Sequence, residues 1–317
     1  MVNEYQVIKP NGEVARKLKL ASDGYIYALA ATLTLQKENA DQQYNFVRPS
    51  ELELIPELSV DSWNGFQAET YKLNKGSIGN NEMIIAFRGS DQMFIDYVFQ
   101  NFGIWQVQNK PAREYVHKAV AYRNAHSSEF GPKVVVTGNS LGGALSVHVT
   151  NNAETGGLIT DAWVFNPSPR PGVSPPPNGN PKIRLLSTYS EQLNMFNRDK
   201  LGAQSQNTYT DFNLIESSAI YNHYRWILAR EILWYADFGL YIESNKKAVD
   251  TPPLLILKQQ HVRDANCELT EPKTQALRTA YNKKVEAAKS ASKSPDPALG
   301  MIEASQLQGI DAKVLTE

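Results

Sequence analysis

The chain has 317 residues, of which 42% are hydrophobic and 21% are charged, so it is long enough to bury a large core. Its 32 lysines and arginines nearly balance its 33 aspartates and glutamates, which argues against broad attraction to nucleic acid or to an anionic membrane. The single cysteine, Cys267, excludes an intramolecular disulfide framework and a cluster of thiolate metal ligands.

The N-terminal region predicts a buried helix and no conventional export signal. Residues 1–20 mix charged and apolar side chains without the basic-then-apolar order of a secretory signal. We therefore expect a protein that is cytoplasmic, or exported without such a signal. The apolar stretch at 25–35 is shorter than the ~20 residues that cross a bilayer, so it is interpreted as part of a helix over 14–36.

An antiparallel hairpin is predicted next. Its first arm, residues 65–73, alternates in side-chain type and is followed by a turn rich in glycine and asparagine. The second arm, residues 83–87, is a short apolar run typical of a strand that is covered on both faces. A helix over about 111–127 follows.

Further strands and a long helix are predicted after residue 160. Short strands at 162–165 and 183–189 flank a proline-rich stretch, 167–181, which we expect to be a surface loop. Residues 219–242 form a long aromatic helical pattern that is expected to pack on the sheet.

The composition changes near residue 250, where two prolines precede a region rich in lysine and alanine. We therefore predict two parts: residues 1–250 as the main α/β domain, and residues 251–317 as a mainly helical C-terminal extension or tail. The default expectation for the extension is a solvated helix, although docking on the core, on a partner or on a membrane surface is also open.

The most informative motif is a Gly-x-Ser-x-Gly turn at residues 138–142. A β-branched run at 134–137 leads into it, and small residues typical of a helix follow. This arrangement is the signature of a nucleophile elbow, in which a strand delivers a serine to a sharp turn. Ser140 is the candidate nucleophile, and the flanking glycines permit the close packing that such a turn requires.

A serine hydroxyl needs a histidine to accept its proton and a carboxylate to orient that histidine. In elbow-bearing α/β enzymes the acid and the histidine follow the serine in the chain, which excludes His117 and His126. His148 lies on the same predicted helix as Ser140, about 12 Å along the axis, and cannot reach back to the hydroxyl.

Two histidines therefore remain, His223 and His261. His223 is favoured because it lies at the start of the long aromatic helix, where a loop can hold an imidazole over the sheet edge. Glu191 is the first choice for the acid because it directly follows a predicted strand. Asp199 and Asp211 also lie between Ser140 and His223, and the sequence leaves both as alternative acids.

Acyl transfer also requires two hydrogen-bond donors for the oxyanion. The backbone N–H of Leu141, the residue after the nucleophile, is the first candidate. The second is Ser90, because residues 87–90 end a buried strand and contain a glycine that lets the chain turn toward the site.

Two motifs in this order resemble the class 3 lipase family. They are Phe-Arg-Gly-Ser at 87–90 and Gly-Asn-Ser-Leu-Gly-Gly-Ala-Leu at 138–145, and Val-Phe-Asn-Pro at 164–167 is similar to the family's next strand and loop. The resemblance covers about residues 15–235. It implies an α/β-hydrolase fold, with a central mostly parallel sheet flanked by helices. It also implies that Ser140 is the nucleophile and that Ser90 and Leu141 form the oxyanion hole.

This chain departs from the family pattern at two positions. Asn139 stands where the family has histidine, a position outside the triad. Glu191 stands where the family normally has aspartate, so either the longer acid is used or another residue supplies the carboxylate.

The resemblance implies a carboxylic ester hydrolase, either a triacylglycerol lipase or a phospholipase, that acts on a lipid ester. It also leaves open an effector exported by a dedicated machine, as some bacterial relatives are. The apolar residues 93–105 are either a lid, with peripheral membrane contact when open, or a buried core helix or strand, and the sequence leaves both open. No cofactor or metal is expected, because a triad needs none and the histidines lack metal-ligand spacing. No nucleic-acid partner is expected. An inhibitory or delivery protein is an open alternative as a partner, and the sequence does not identify one.

Two other function classes stay open at this point. One is a lipase-fold binding module that has lost catalysis, a reading motivated by the unusual acid. The other is an acyltransferase that passes the same acyl group on Ser140 to an alcohol or a lysolipid.

Overall fold

The computed structural model describes residues 12–36, 45–62, 65–76, 80–89, 107–191, 193, 198–212, 223, 225–244, 250–259, 279 and 283. Within these residues the chain forms a mixed α/β architecture around an eight-stranded sheet. The strands are β1 (Leu52–Leu54), β2 (Val60–Asp61), β3 (Gln67–Leu73), β4 (Asn81–Phe87), β5 (Phe130–Asn139), β6 (Asp161–Phe165), β7 (Ile183–Thr188) and β8 (Thr208–Phe212). The helices are α1 (Gly12–Leu33), α2 (Asn109–Ala125), α3 (Leu141–Asn151), α4 (Arg225–Glu243) and α5 (Pro252–Gln259).

The strand order is β1-β3-β4-β5-β6-β7-β8, with β2 beside β3. Strands β1, β2 and β4 pair antiparallel with β3, whereas β4 to β8 are all parallel. Because parallel strands end at the same edge, the carboxyl ends of β4 to β8 lie together. The sheet is mostly parallel and has helices on both faces, which is consistent with an α/β-hydrolase-like fold.

Successive residues along a strand point to opposite faces of the sheet, and they are buried in two separate hydrophobic cores, one on each face. In β4, Ile84 and Ala86 pack toward α1, α4 and α5, while the residues on either side of them pack toward α2 and α3. Burial on both faces explains why β4 and β5 are continuous apolar runs. The Thr137 hydroxyl also donates to the Tyr27 carbonyl at 3.1 Å, which ties the middle strand to α1.

Helix α4 is buried around its whole circumference, since every residue from 226 to 239 is buried. A helix with no exposed face is a core element, here packed against α1, α5 and the sheet. Helix α5 places Leu254, Ile256 and Leu257 in this core, so the first residues after the predicted boundary at 250 pack on the main domain.

The predicted secondary structure is confirmed for the described residues, with small shifts at the ends. The first helix, the antiparallel hairpin, the helix near 111–127, the strands near 162 and 183 and the irregular proline-rich loop are all present. Strands β1, β2 and β8 and helix α5 were not among the predictions. The candidate lid at 93–105 and nearly all of the predicted tail lie outside the described residues, so these two predictions and the division at residue 250 stay predictions.

We expect Leu233→Ala to lower the free energy of unfolding by about 2–5 kcal/mol, because Leu233 is fully buried in α4 and its loss leaves a cavity. Leu255→Ala is the matched control: the same atoms are removed from a helix, but Leu255 is 44% exposed. The control should change stability by less than about 0.5 kcal/mol. Equal urea midpoints for the two variants would show that α4 is not the core element described above.

Candidate functional site

The turn between β5 and α3 holds Ser140 in a strained backbone conformation, with φ of +54° and ψ of −117°. A left-handed φ is costly for a residue with a Cβ and persists only where the surroundings hold it. Here the Ser140 N–H donates to the Phe165 carbonyl at 3.0 Å, and the Ser140 carbonyl accepts from the Ser168 N–H at 3.0 Å. The last residue of β6 and the loop after it therefore fix the turn through the N–H and the carbonyl of Ser140.

The two glycines of the motif allow backbone segments to approach each other closely. A Cβ at Gly142 would lie 2.1 Å from the Phe87 carbonyl oxygen at the end of β4, and one at Gly138 would lie 2.3 Å from the Gly142 carbonyl carbon. Neither contact can be relieved by a side-chain rotation, because each clash is with backbone. The sharp turn therefore depends on glycine at both positions.

His223 and Glu191 lie beside Ser140 in a continuous hydrogen-bonded path. The Ser140 Oγ is 3.0 Å from His223 Nε2, and His223 Nδ1 is 2.6 Å from Glu191 Oε2. An ionised carboxylate only accepts hydrogen bonds. Nδ1 therefore carries a proton and donates a hydrogen bond to Glu191. In a neutral ring this leaves a lone pair on Nε2 that accepts the Ser140 hydroxyl.

Glu191 is a fully buried carboxylate with several donors around it. Its Oε2 also accepts the Leu193 N–H at 2.8 Å, and its Oε1 accepts from Arg198. Burial by itself raises the pKa of Glu191, but the hydrogen bond from His223 and the charge of Arg198 outweigh it and hold the pKa below its ordinary value of 4.5. Glu191 is therefore ionised at neutral pH.

The other sequence candidates for the acid lie elsewhere. Asp199 is exposed in a short 3₁₀ helix, Asp199–Leu201, and Asp211 lies on β8. Of the histidines, His148 is buried between the Arg113 guanidinium and the Pro171 carbonyl, away from Ser140. His261 lies outside the described residues.

The candidate oxyanion donors are described only in part. Leu141 is the first residue of α3, and the first N–H groups of a helix point out of its end without an acceptor inside the helix. Ser90 lies outside the described residues, but Gly89 before it is at the elbow: a Cβ there would lie 2.6 Å from the Asn139 carbonyl oxygen. Gly89 therefore lies directly beside the candidate nucleophile, Ser140.

Two neighbours of the candidate site were not predicted. Asn166, with φ of +41°, accepts the Thr188 N–H at 2.9 Å on its side-chain oxygen and so joins the ends of β6 and β7. Asparagine tolerates this conformation and directly follows a strand, which is a signal the sequence offers. Arg198 stands in a loop with no such pattern, so the sequence gives no sign of its contact with Glu191.

Within the described residues, no group of three or more histidine, cysteine, aspartate or glutamate side chains is arranged to hold a metal ion. No helix in the same part of the chain is both long and apolar enough to cross a membrane.

Residues 44–166 match the model of a protein family described as Mbeg1-like, which is associated with lipase-like proteins. The match runs from before β1 to the residue after β6, so it includes Ser140 but neither Glu191 nor His223. It supports the coarser statement that this part of the chain is lipase-like, and it does not assign the chain to class 3 lipases. No curated protein matches the chain.

The lowered pKa of Glu191 predicts how the stability contributed by this carboxylate depends on pH. A depressed pKa means that the contribution is complete above the unfolded value near 4.5 and is lost as pH falls through the folded value. At pH 7, Glu191→Gln should cost about 3 kcal/mol or more, because it leaves buried Arg198 without its counter-charge.

Urea unfolding of wild type and Glu191→Gln from pH 7 to pH 3 measures this dependence. The stability difference between the two proteins should be constant above about pH 5.5 and should shrink below pH 4.5. A difference that stays the same down to pH 3 would contradict an ionised, charge-paired Glu191.

Proposed function

We propose that the protein is a serine hydrolase that cleaves a carboxylic ester of a lipid through an acyl-enzyme on Ser140. The observation that supports this most directly is the hydrogen-bonded path from Ser140 through His223 to buried Glu191. The strained elbow and the lipase-like family match of residues 44–166 support it further.

In the proposed reaction, Ser140 Oγ attacks the ester carbonyl carbon while its proton moves to His223 Nε2. The N–H groups of Leu141 and Ser90 stabilise the negative charge that develops on the carbonyl oxygen. The imidazolium is stabilised by the ionised Glu191 and then gives its proton to the departing alcohol. Water repeats the steps on the acyl-enzyme, which releases a carboxylic acid and restores the Ser140 hydroxyl.

A lipid substrate is proposed rather than a small soluble ester. The support is the lipase-like match and the apolar composition of residues 93–105, which directly follow the oxyanion motif in the sequence. Tyr189 also lies at the carboxyl edge, just before Ser190 and Glu191 in the chain. It is 57% exposed. An exposed aromatic ring at this edge is suited to contact an acyl chain or a lipid surface.

We expect Ser140→Ala to reduce ester hydrolysis by at least about 10⁴-fold, since the variant cannot form the acyl-enzyme. The assay measures fatty acid released from phospholipid and triacylglycerol dispersions and from a soluble short-chain ester. Ser59→Ala, at an exposed serine outside the hydrogen-bonded path of Ser140, His223 and Glu191, is the matched control and should keep full activity.

A fluorophosphonate probe gives a second readout of the same serine, because it reacts only with an activated hydroxyl. It should label wild type and Ser59→Ala but not Ser140→Ala. Folded wild type that neither hydrolyses any of the esters nor reacts with the probe would overturn the proposal in favour of a non-catalytic binding role.

The identity of the acid is tested by comparing three carboxylates. We expect Glu191→Gln to lower kcat by about 10⁴-fold, because the amide cannot stabilise the imidazolium as the carboxylate does. Asp199→Asn and Asp211→Asn should each retain kcat within about twofold, because His223 Nδ1 is hydrogen bonded to Glu191. Loss of activity in one of these two variants, with Glu191→Gln active, would reassign the acid.

A further inference from the structure

The acid of the site is held by a second buried charge that the usual three-residue description of a triad does not include. The side chain of Glu191 is fully buried, and that of Arg198 is only 10% exposed. A terminal nitrogen of Arg198 donates to Glu191 Oε1, the oxygen that does not bind His223. The two carboxylate oxygens therefore have separate tasks.

Arg198 also connects the acid to the nucleophile. Its Nε donates to the Pro167 carbonyl at 3.0 Å, and the next residue, Ser168, donates its N–H to the Ser140 carbonyl. One guanidinium thus binds the acid and the loop that holds the elbow. Its planar fork serves both contacts, which a lysine ammonium cannot reproduce with the same geometry.

Glutamate makes such a restraint necessary. Its side chain has one more rotatable bond than that of aspartate. Fixing the glutamate carboxylate against His223 Nδ1 therefore costs more side-chain conformational entropy. The Leu193 N–H binds Oε2 and Arg198 binds Oε1. Both carboxylate oxygens are therefore held in place independently of the hydrogen bond to the His223 imidazole.

We propose that Arg198 is a positioning residue that fixes the orientation and charge of Glu191 for His223 and ties the acid to the nucleophile elbow. This inference rests on the proposed hydrolase function. Arg198 acts through Glu191 and is not assigned any contact with substrate.

Removal of the guanidinium should change the pH dependence of the site and not only its stability. The charged and titratable groups placed against Glu191 among the described residues are His223 and Arg198. Without Arg198, the effect of burial, which raises the pKa of Glu191, is no longer opposed by the guanidinium charge. Because the proposed reaction requires ionised Glu191, the acid limb of kcat/KM should move toward higher pH.

The kinetic test compares Arg198→Met and Arg198→Lys with wild type over pH 4 to 9. The acid limb of kcat/KM should move up by about one pH unit or more in Arg198→Met, with kcat changed more than KM. Arg198→Lys, which keeps the charge but not the planar fork, should restore the limb only in part. Arg184→Met is the matched control, since Arg184 is paired with Asp161 at the opposite edge of the sheet, and its profile should be parallel to wild type.

A readout independent of turnover separates this proposal from the proposed function. The proton on His223 Nδ1, hydrogen bonded to a carboxylate, should give a strongly downfield proton NMR resonance that is absent in Glu191→Gln. In Arg198→Met this resonance should be lost or weakened, while Arg198→Lys, which keeps the charge but not the fork, should retain more of it than Arg198→Met.

The outcomes are distinct. If wild type hydrolyses no ester but the resonance responds to Arg198 as expected, the proposed function fails and the positioning role stands. An unchanged resonance in folded Arg198→Met, or a pH profile parallel to wild type, would overturn the positioning role. Absence of the resonance in wild type would also overturn it, because the Glu191 to His223 bond would not exist in solution.

Discussion

The backbone contact between the turn after β5 and the end of β4 is the constraint on which the site depends. Gly142 lies so close to the Phe87 carbonyl that no side chain fits between them. This contact forces the chain to leave the middle of the sheet at a sharp angle, with Ser140 at the apex in a left-handed conformation. It also brings residues 88 and 89 to the elbow. The positions of the candidate nucleophile Ser140, of Leu141 after it and of Gly89 therefore follow from one close approach.

The loop after β6 connects the candidate acid, Glu191, to the rest of the site. Asn166 joins β6 to β7, Pro167 accepts from Arg198, and Ser168 donates to Ser140. Three residues in a row thus connect the strand that carries the serine with the segment that carries Glu191. Backbone strain is concentrated in the same region, since Ser140, Asn166 and Ser190 all have positive φ just beyond neighbouring strands. Such strain is sustained only by a rigid surrounding framework, which the two cores of the sheet provide.

The sequence predicted the elements whose signals are local and periodic. The β-branched run before Ser140, the apolar strand β4 and the aromatic helix α4 are long enough for their patterns to be recognised. The candidates Ser140, His223 and Glu191 could be named because chain order and strand ends restrict the choice. Strand β8 was missed because five residues with mixed burial carry no clear period. Arg198 was missed for a different reason: its role depends on a loop conformation that brings it back to Glu191, and no local pattern encodes that return.

Helices α1 and α4 pack extensively against each other although they lie near opposite ends of the described chain. Together they cover one face of the sheet, and α4 is buried on all sides. During synthesis from the N-terminus, every strand of the sheet emerges before α4 does. The part of that face that α1 does not cover, and the side of α1 that packs on α4, then stay exposed until the chain beyond residue 243 has left the ribosome, and contacts so distant in sequence form slowly. The nascent protein therefore has an interval in which apolar surface is open to aggregation, and the histidine side of the candidate site is assembled last.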